Sequence, residues 1–234
     1  MPYRAVIFDL QGTLVRRPHE RAMFDSVRCM AEALGVDSIE FASHWFRHGS
    51  HSPSQRALPW IESNLEAVCL EMGVALDVHT RRRLAQMREA LILQTLTPQR
   101  GAIKALTTMR CRGIRTAVIG DTPSDLPQLF HETEIARHID VSLLSCSSGY
   151  RHDDPRVFRK VLESLGLPPS VVMYVSGRCD QSLDIASALK LRPIRFCPDL
   201  MVDGMPAPLC DYETRGTMLE LTWLATGWGR QEVA

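Results

Sequence analysis

Hydrophobic positions along this chain change period several times, and those changes divide it. Val6, Ile7 and Phe8 form an unbroken apolar run that ends on the carboxylate Asp9, then turns at Gly12 and Thr13 before Leu14 and Val15. A short continuous apolar run bounded by turn residues is the pattern of a strand buried on both faces. From His19 the period becomes helical, with Met23, Val27, Met30, Ala31 and Leu34 on one face and a stop at Gly35. Ser38 is expected to cap a second helix through Phe41, Trp45 and Phe46, ending near Gly49. Residues 50–56, rich in Ser, Pro and His, read as a loop. Helical stretches follow over roughly 58–72 and 78–96, and no strand-like alternation interrupts residues 16–96.

Beyond Thr97 and Pro98 the pattern alternates. Helices are expected around Ile103–Met109, Ser124–Phe130, Pro155–Leu165 and Ser182–Leu191, with strands over Ile114–Ile119, Ile139–Ser145, Val171–Val175 and Pro193–Phe196. Such alternation predicts an α/β fold of right-handed crossovers, a parallel sheet flanked by helices. Residues 1–15 and 97–234 would form this core, and 16–96 a four-helix insert. The tail carries Pro198, Pro206 and Pro208, then a short helix over Thr217–Ala225 and a frayed end.

Charge removes several functions. Across 234 residues, 27 basic side chains balance 27 acidic ones, so nothing electrostatic favours nucleic acid or an anionic membrane. No apolar run approaches the ~20 residues of a membrane span, and Met1 leads straight into the first strand without a leader pattern. The seven cysteines are odd in number and lack Cys-x-x-Cys spacing, which reads as free thiols in a reducing cytoplasm. The only lysines are Lys104, Lys160 and Lys190.

The stretch from Val6 to Val15 resembles the first motif of the haloacid dehalogenase-like (HAD) superfamily, Asp-x-Asp-Gly-Thr-Leu/Val after a hydrophobic strand. The resemblance extends to about Phe196 and is nearest to the phosphoglycolate-phosphatase-like branch with a helical cap. It implies a Rossmannoid core, a cap shaping substrate access over the carboxyl edge of the sheet, and phosphoryl transfer through an aspartyl phosphate at Asp9, with Mg2+ bound by further acids.

The chemistry this resemblance implies is replaced at most positions. Gln11 stands where the second Asp would protonate the leaving oxygen; its amide can hydrogen-bond but cannot transfer a proton near neutral pH. After the second strand, Gly120 and Asp121 stand in place of a phosphate-binding Ser or Thr, with Thr122 two residues late. Residues Gly149 to Phe158 resemble Gly-x-x-Lys-Pro-x-Pro-x-x-Phe, with His152 at the lysine and Arg151 beside it. After Val171–Val175 two registers are open. One places Ser176 and Gly177 at the Gly-Asp pair and Ser182 at the later acid, and better fits Leu189–Ile194. The other slides three residues and uses Asp180 and Asp184.

The sequence therefore suggests a HAD-fold protein that is inactive or weak as a phosphatase and holds a small ligand, phosphorylated or not, or a protein partner between cap and core. Gly12, Gly120, Asp121, Thr122 and Arg151 are the candidate ligand-binding residues, and Asp9, Gln11 and His152 the candidate catalytic ones. One alternative is an active Mg2+-dependent phosphomonoester hydrolase using Asp9, Asp180 and Asp184; the other is a dehalogenase-like C–X hydrolase, whose metal-free fourth motif resembles Val175-Ser176. The cofactor is accordingly Mg2+ or none. His44, His48 and His51 share helical spacing but lack a fourth ligand nearby, so they read as a polar face. Trp45, Phe46 and Trp60 read as core or cleft lining, and Trp223 and Trp228 as a candidate homodimer contact.

Overall fold

The computed structural model describes residues 3–16, 20–48, 60–122, 126–178, 180–198, 201–202, 205–206 and 210–227. In chain order these form β1 (Ala5–Asp9), α1 (Glu20–Leu34), α2 (Ser38–His48), α3 (Trp60–Glu71), α4 (Val78–Thr95), α5 (Ala102–Cys111), β2 (Arg115–Gly120), α6 (Leu126–Glu132), β3 (Val141–Leu144), α7 (Ser145–Ser148), α8 (Pro155–Leu165), β4 (Val172–Ser176), α9 (Gln181–Ala188), β5 (Arg192–Phe196), β6 (Met201–Val202), β7 (Met205–Pro206), β8 (Thr214–Arg215) and α10 (Met218–Thr226). They fall into two compact units. One takes Met1–Arg17, Pro98–Asp121 and Thr133–Ala234; the other takes Pro18–Thr97 with Thr122–Glu132. The helical unit thus includes α6, which strand–helix alternation alone would assign to the core.

The first unit is an α/β fold on a six-stranded parallel sheet, ordered β3-β2-β1-β4-β5-β8. All five residues of β1 are buried, as an apolar run in a central parallel strand requires. On one face Ala5 and Ile7 join Ala117, Ile119, Val172 and Tyr174 under Val157, Phe158, Val161 and Leu165 of α8. The Phe158 ring meets the Tyr174 ring edge-on, with centroids 4.9 Å apart, a geometry worth about 0.5–1.5 kcal/mol beyond area burial. Helix α8 forms here because its ends are marked. Asp154 accepts from the Arg156 amide, Pro155 opens the first turn and Gly166 closes the last at φ 60°. The strand order reverses beside β1, so the carboxyl ends of β1, β2 and β4 converge at the crevice where open α/β sheets place their chemistry.

Two local expectations change. The cap of α2 is Asp37, not Ser38: the amides of Ile39 and Glu40 donate to its Oδ1 at 3.0 and 2.8 Å. The tail adds β8 to the sheet edge and forms the hairpin β6–β7, segments of two residues each, too short to carry a period. The Ser124 end of the helix expected over Ser124–Phe130 lies outside the described residues, and α6 begins at Leu126.

In the helical unit, Trp45 is core: it stacks on Phe41 at 6.1 Å and lies under the buried Arg88 guanidinium at 5.8 Å. Phe46 is more exposed and meets Phe24 edge-on. The side chain of Trp60, and Trp228, lie outside the described residues; Trp223 is partly exposed on α10. Among the described residues no helix is long and apolar enough to cross a membrane, and the described cysteines are free thiols.

Candidate functional site

The centre is Asp9, the last residue of β1, with no exposed surface. The next turn folds back on itself: the Gly12 amide donates to the Val15 carbonyl at 2.9 Å with Gly12 at φ 78°, which suits glycine. This leaves Thr13 buried, its hydroxyl accepting from the Gly177 amide at 2.7 Å. The loop after β4 is thereby fastened to the loop after β1. Gly177 sits so close that a Cβ there would lie 2.2 Å from the Gly12 carbonyl oxygen.

That loop supplies the partners of Asp9. Arg178 donates from Nε to Asp9 Oδ2 at 3.1 Å, and the Ser176 hydroxyl approaches the same oxygen at 3.4 Å. The Arg178 amide donates to Ser176 Oγ at 3.1 Å, holding the pair together. The other oxygen, Oδ1, is buried and, among the described residues, has no hydrogen-bond partner. Burial pushes the Asp9 carboxyl up to about 6, against the pull of Arg178 and His152 and aided by the charges of Asp180 and Asp121. Arg178 was not anticipated from the sequence. The signal available was slight: it is the single cation in the loop 176–180.

A second cluster lies beside it. His152 is buried, and its ring bridges two acids, with Nδ1 2.7 Å from Asp121 Oδ2 and Nε2 2.9 Å from Asp180 Oδ2. Its amide also donates to Asp121 Oδ1 at 2.8 Å. Burial opposes a charged ring, but the hydrogen bonds to Asp121 and Asp180 and the charge of Asp9 outweigh it, lifting His152 to about 9. The same contacts hold Asp121 and Asp180 below the ordinary carboxylate range despite their own desolvation. At neutral pH the group is an imidazolium between two carboxylates. Asp180 also caps α9 and accepts from the Ser182 hydroxyl at 2.5 Å, and Tyr174 donates to Ser182 Oγ at 3.1 Å from the buried sheet.

The structure thus brings together Asp9, Gly120, Asp121, His152 and Asp180, and places Gln11 and Gly12 in the turn after β1, with Gln11 half-buried. Gly120 stands at the Asp9 carboxylate: a Cβ there would be 3.7 Å from Oδ1 and 3.0 Å from Leu10 Cβ. Arg151 is largely exposed and reaches Asp121 Oδ2 at 3.3 Å from the rim. Thr122 is buried and groups with the helical unit. Asp184 is not brought to this group; its Oδ1 accepts from the Tyr212 hydroxyl at 2.5 Å. Neither sequence register describes the loop fully, since Ser176 ends the strand as in the first while Asp180 reaches the site as in the second.

Of the three lysines, Lys160 lies over the Tyr150 ring at 4.6 Å. In the helical unit, His44 pairs with Glu71 at 2.5 Å and Arg47 with the same carboxylate at 2.9 Å, so an acid does stand beside His44. The His48 side chain and His51 lie outside the described residues. Among the described residues, no group of three or more His, Cys, Asp or Glu is arranged to hold a metal ion.

Comparison with known proteins agrees with this architecture. The chain is 25% identical over 195 residues to human haloacid dehalogenase-like hydrolase domain-containing protein 3, covering 76% of each. It superposes on a HAD phosphatase from Thermococcus onnurineus with a TM-score of 0.59 at 17% identity, covering 93% of this chain and 95% of that one. It superposes on the Bacillus subtilis HAD-hydrolase YfnB, described as bound to magnesium, with a TM-score of 0.58 at 13% identity over 96% and 99% of the two chains. At such identities the two structures speak for the fold. The haloacid dehalogenase-like hydrolase family model matches residues 3–179, and with its motif positions arrayed along the carboxyl edge of the sheet the chain belongs to that family.

Proposed function

We propose that this protein is inactive or weak as a phosphomonoesterase and uses the Asp9 site to bind a small ligand, with the helical unit serving as its cap. The carrying observation is His152, which stands where a phosphate-binding lysine is expected but spends both ring nitrogens on Asp121 and Asp180. A phosphate entering there would meet three acids, Asp9, Asp121 and Asp180, against His152 and Arg178, already paired with them, and Arg151, paired with Asp121 from the rim. Gln11 supplies no proton, and general acid–base help is typically worth ~10²–10⁴-fold. The donor atoms also argue against Mg2+, which needs several oxygen ligands in near-octahedral order. Asp9 Oδ2 accepts from Arg178, Asp180 faces His152 and Ser182, and Asp184 faces Tyr212. What the site offers is a buried carboxylate oxygen, Asp9 Oδ1, without a partner among the described residues and suited to a ligand N–H or O–H.

The test is hydrolysis of a broad phosphomonoester panel with and without Mg2+, against Asp9→Asn. Turnover no greater than in that variant is expected. Metal-dependent turnover that Asp9→Asn abolishes would overturn the reading.

A second reading is favoured by one contact. Ser176 and Arg178 hold Asp9 without a metal, as a metal-free nucleophile needs, which suits a dehalogenase-like C–X hydrolase. Asp9-dependent halide release from 2-haloacids would support it.

A further inference from the structure

We propose that Arg178 is the resident cation of the Asp9 site and that its guanidinium keeps divalent metal ions off this carboxylate. The inference goes beyond the ligand-binding reading, because it concerns metal binding at Asp9 and holds whether or not any metal-free turnover survives.

Three observations carry it. First, the carboxylate oxygen nearest the loop is already engaged: Arg178 Nε lies 3.1 Å from Asp9 Oδ2 with the Ser176 hydroxyl at 3.4 Å. A metal bound to that oxygen would sit ~2 Å away, in space the guanidinium fills, and would bring a second positive charge against it. Second, the loop is closed where a metal-binding acid would be inserted. Gly177 follows the end of β4, and even a Cβ there would fall 2.2 Å from the Gly12 carbonyl oxygen. The Gly177 amide is bonded to Thr13, which holds this approach in place. An acid cannot be accommodated at that position unless the two loops separate. Third, the other nearby acid is committed. Asp180 accepts from His152 on one oxygen and from Ser182 on the other and caps α9, so both oxygens are already engaged.

Arg178 is well placed to remain. Its side chain is one-quarter exposed, which keeps the guanidinium partly hydrated while Nε points at a carboxylate with no exposed surface. A permanent cation there orients Asp9 and stabilises its ionised form. Arginine does this without the deprotonation that a lysine risks on burial. The role is one of positioning and charge supply, performed by the chain itself.

The experiment uses Mn2+ as a paramagnetic probe, read by water-proton relaxation, on the full-length protein. Wild type, Asp9→Asn, Arg178→Ala, Arg178→Gln, Arg178→Lys and the double variant Arg178→Ala with Asp9→Asn are compared, so that adventitious surface binding cancels. Wild type and Arg178→Lys should show no Mn2+ binding beyond that of Asp9→Asn. Arg178→Ala should gain affinity by about tenfold or more, the scale expected when a like charge beside a cation site is removed, and the double variant should lose the gain. Arg178→Gln keeps a hydrogen-bonding side chain of similar reach without the charge, and should gain affinity too if Arg178→Ala does not fold. A thermal shift by Mg2+ in the neutral variants and not in wild type gives a second readout. Asp9-dependent Mn2+ binding in wild type would overturn the proposal, as would folded neutral variants that gain nothing.

Discussion

The Gly177 amide donates to the Thr13 hydroxyl at 2.7 Å, joining loops that lie 164 residues apart in the chain. This contact sets how far the loop after β4 can stand from Asp9, and it tolerates no side chain at 177. Gly177→Ala would drive a Cβ into the Gly12 carbonyl, which is backbone and cannot rotate aside. The cost should be that of overpacking a fixed site, about 1–3 kcal/mol. The midpoint of urea unfolding measures it; an alanine variant as stable as wild type would show that the two loops are not locked together.

The imidazolium of His152 makes stability depend on pH on the alkaline side. Burial works against the charge, but Asp121, Asp180 and Asp9 hold the proton to about pH 9, above the ordinary value of 6.5. The folded state therefore binds this proton more tightly than the unfolded one. The stabilisation is complete below pH 6.5 and is lost as pH rises through 9. The gap between the values corresponds to ~2–3 kcal/mol, given that Asp180 is one-third exposed. Urea midpoints from pH 6 to 10 should fall more steeply in wild type than in His152→Gln, and parallel profiles would refute the charge assignment.

What the sequence made legible depended on whether the signal was local. The run Val6–Asp9 announces a buried strand, and Asp154, Pro155 and Gly166 announce both ends of α8, because each rests on neighbours in the chain. His152 was legible as a replaced position, but not as a bridge, since Asp121 and Asp180 arrive from the ends of two other strands. Arg178 is harder still. Its pairing with Asp9 spans 169 positions and arises only when parallel crossovers align strand ends, and a lone arginine in a loop has no period to betray it. Asp180 and Asp184 show the converse: their spacing suggested one shared site, and the helix they begin turns Asp184 to Tyr212.

Asp9 should impose a pH dependence of the same sign as His152, by a different cause and at lower pH. Burial raises its carboxyl to about 6, so the proton is favoured in the folded state. Its contribution is full below about 3.8 and is lost as pH climbs through 6, amounting to ~3 kcal/mol for a fully buried group. Asparagine keeps the shape, and its oxygen can still accept from Arg178, without the buried charge. Asp9→Asn should gain stability relative to wild type as pH rises from 4 to 7. A difference between the two proteins that stays constant over this range would mean that Asp9 ionises at its ordinary value.

With Gly120 beside it, Asp9 Oδ1 has no donor among the described residues, and one can be supplied on purpose. A Cβ at 120 would be 3.7 Å from Oδ1, so a serine hydroxyl can swing within hydrogen-bond reach, while contact with Leu10 Cβ at 3.0 Å requires a small adjustment. Alanine at 120 suffers the same contact and offers no donor, which makes it the proper reference. A hydrogen bond to a carboxylate is worth ~1.5–3 kcal/mol where geometry is good. Because that bond favours the ionised form, Gly120→Ser should draw the Asp9 carboxyl down from about 6, and Gly120→Ala should not. Above pH 6 the serine variant should be the more stable of the two. Below pH 4, where Asp9 is protonated in both, the difference should shrink. Equal stability at pH 7 would place the serine hydroxyl out of reach of Oδ1, and with it the idea that glycine at 120 is what leaves this oxygen open to a ligand.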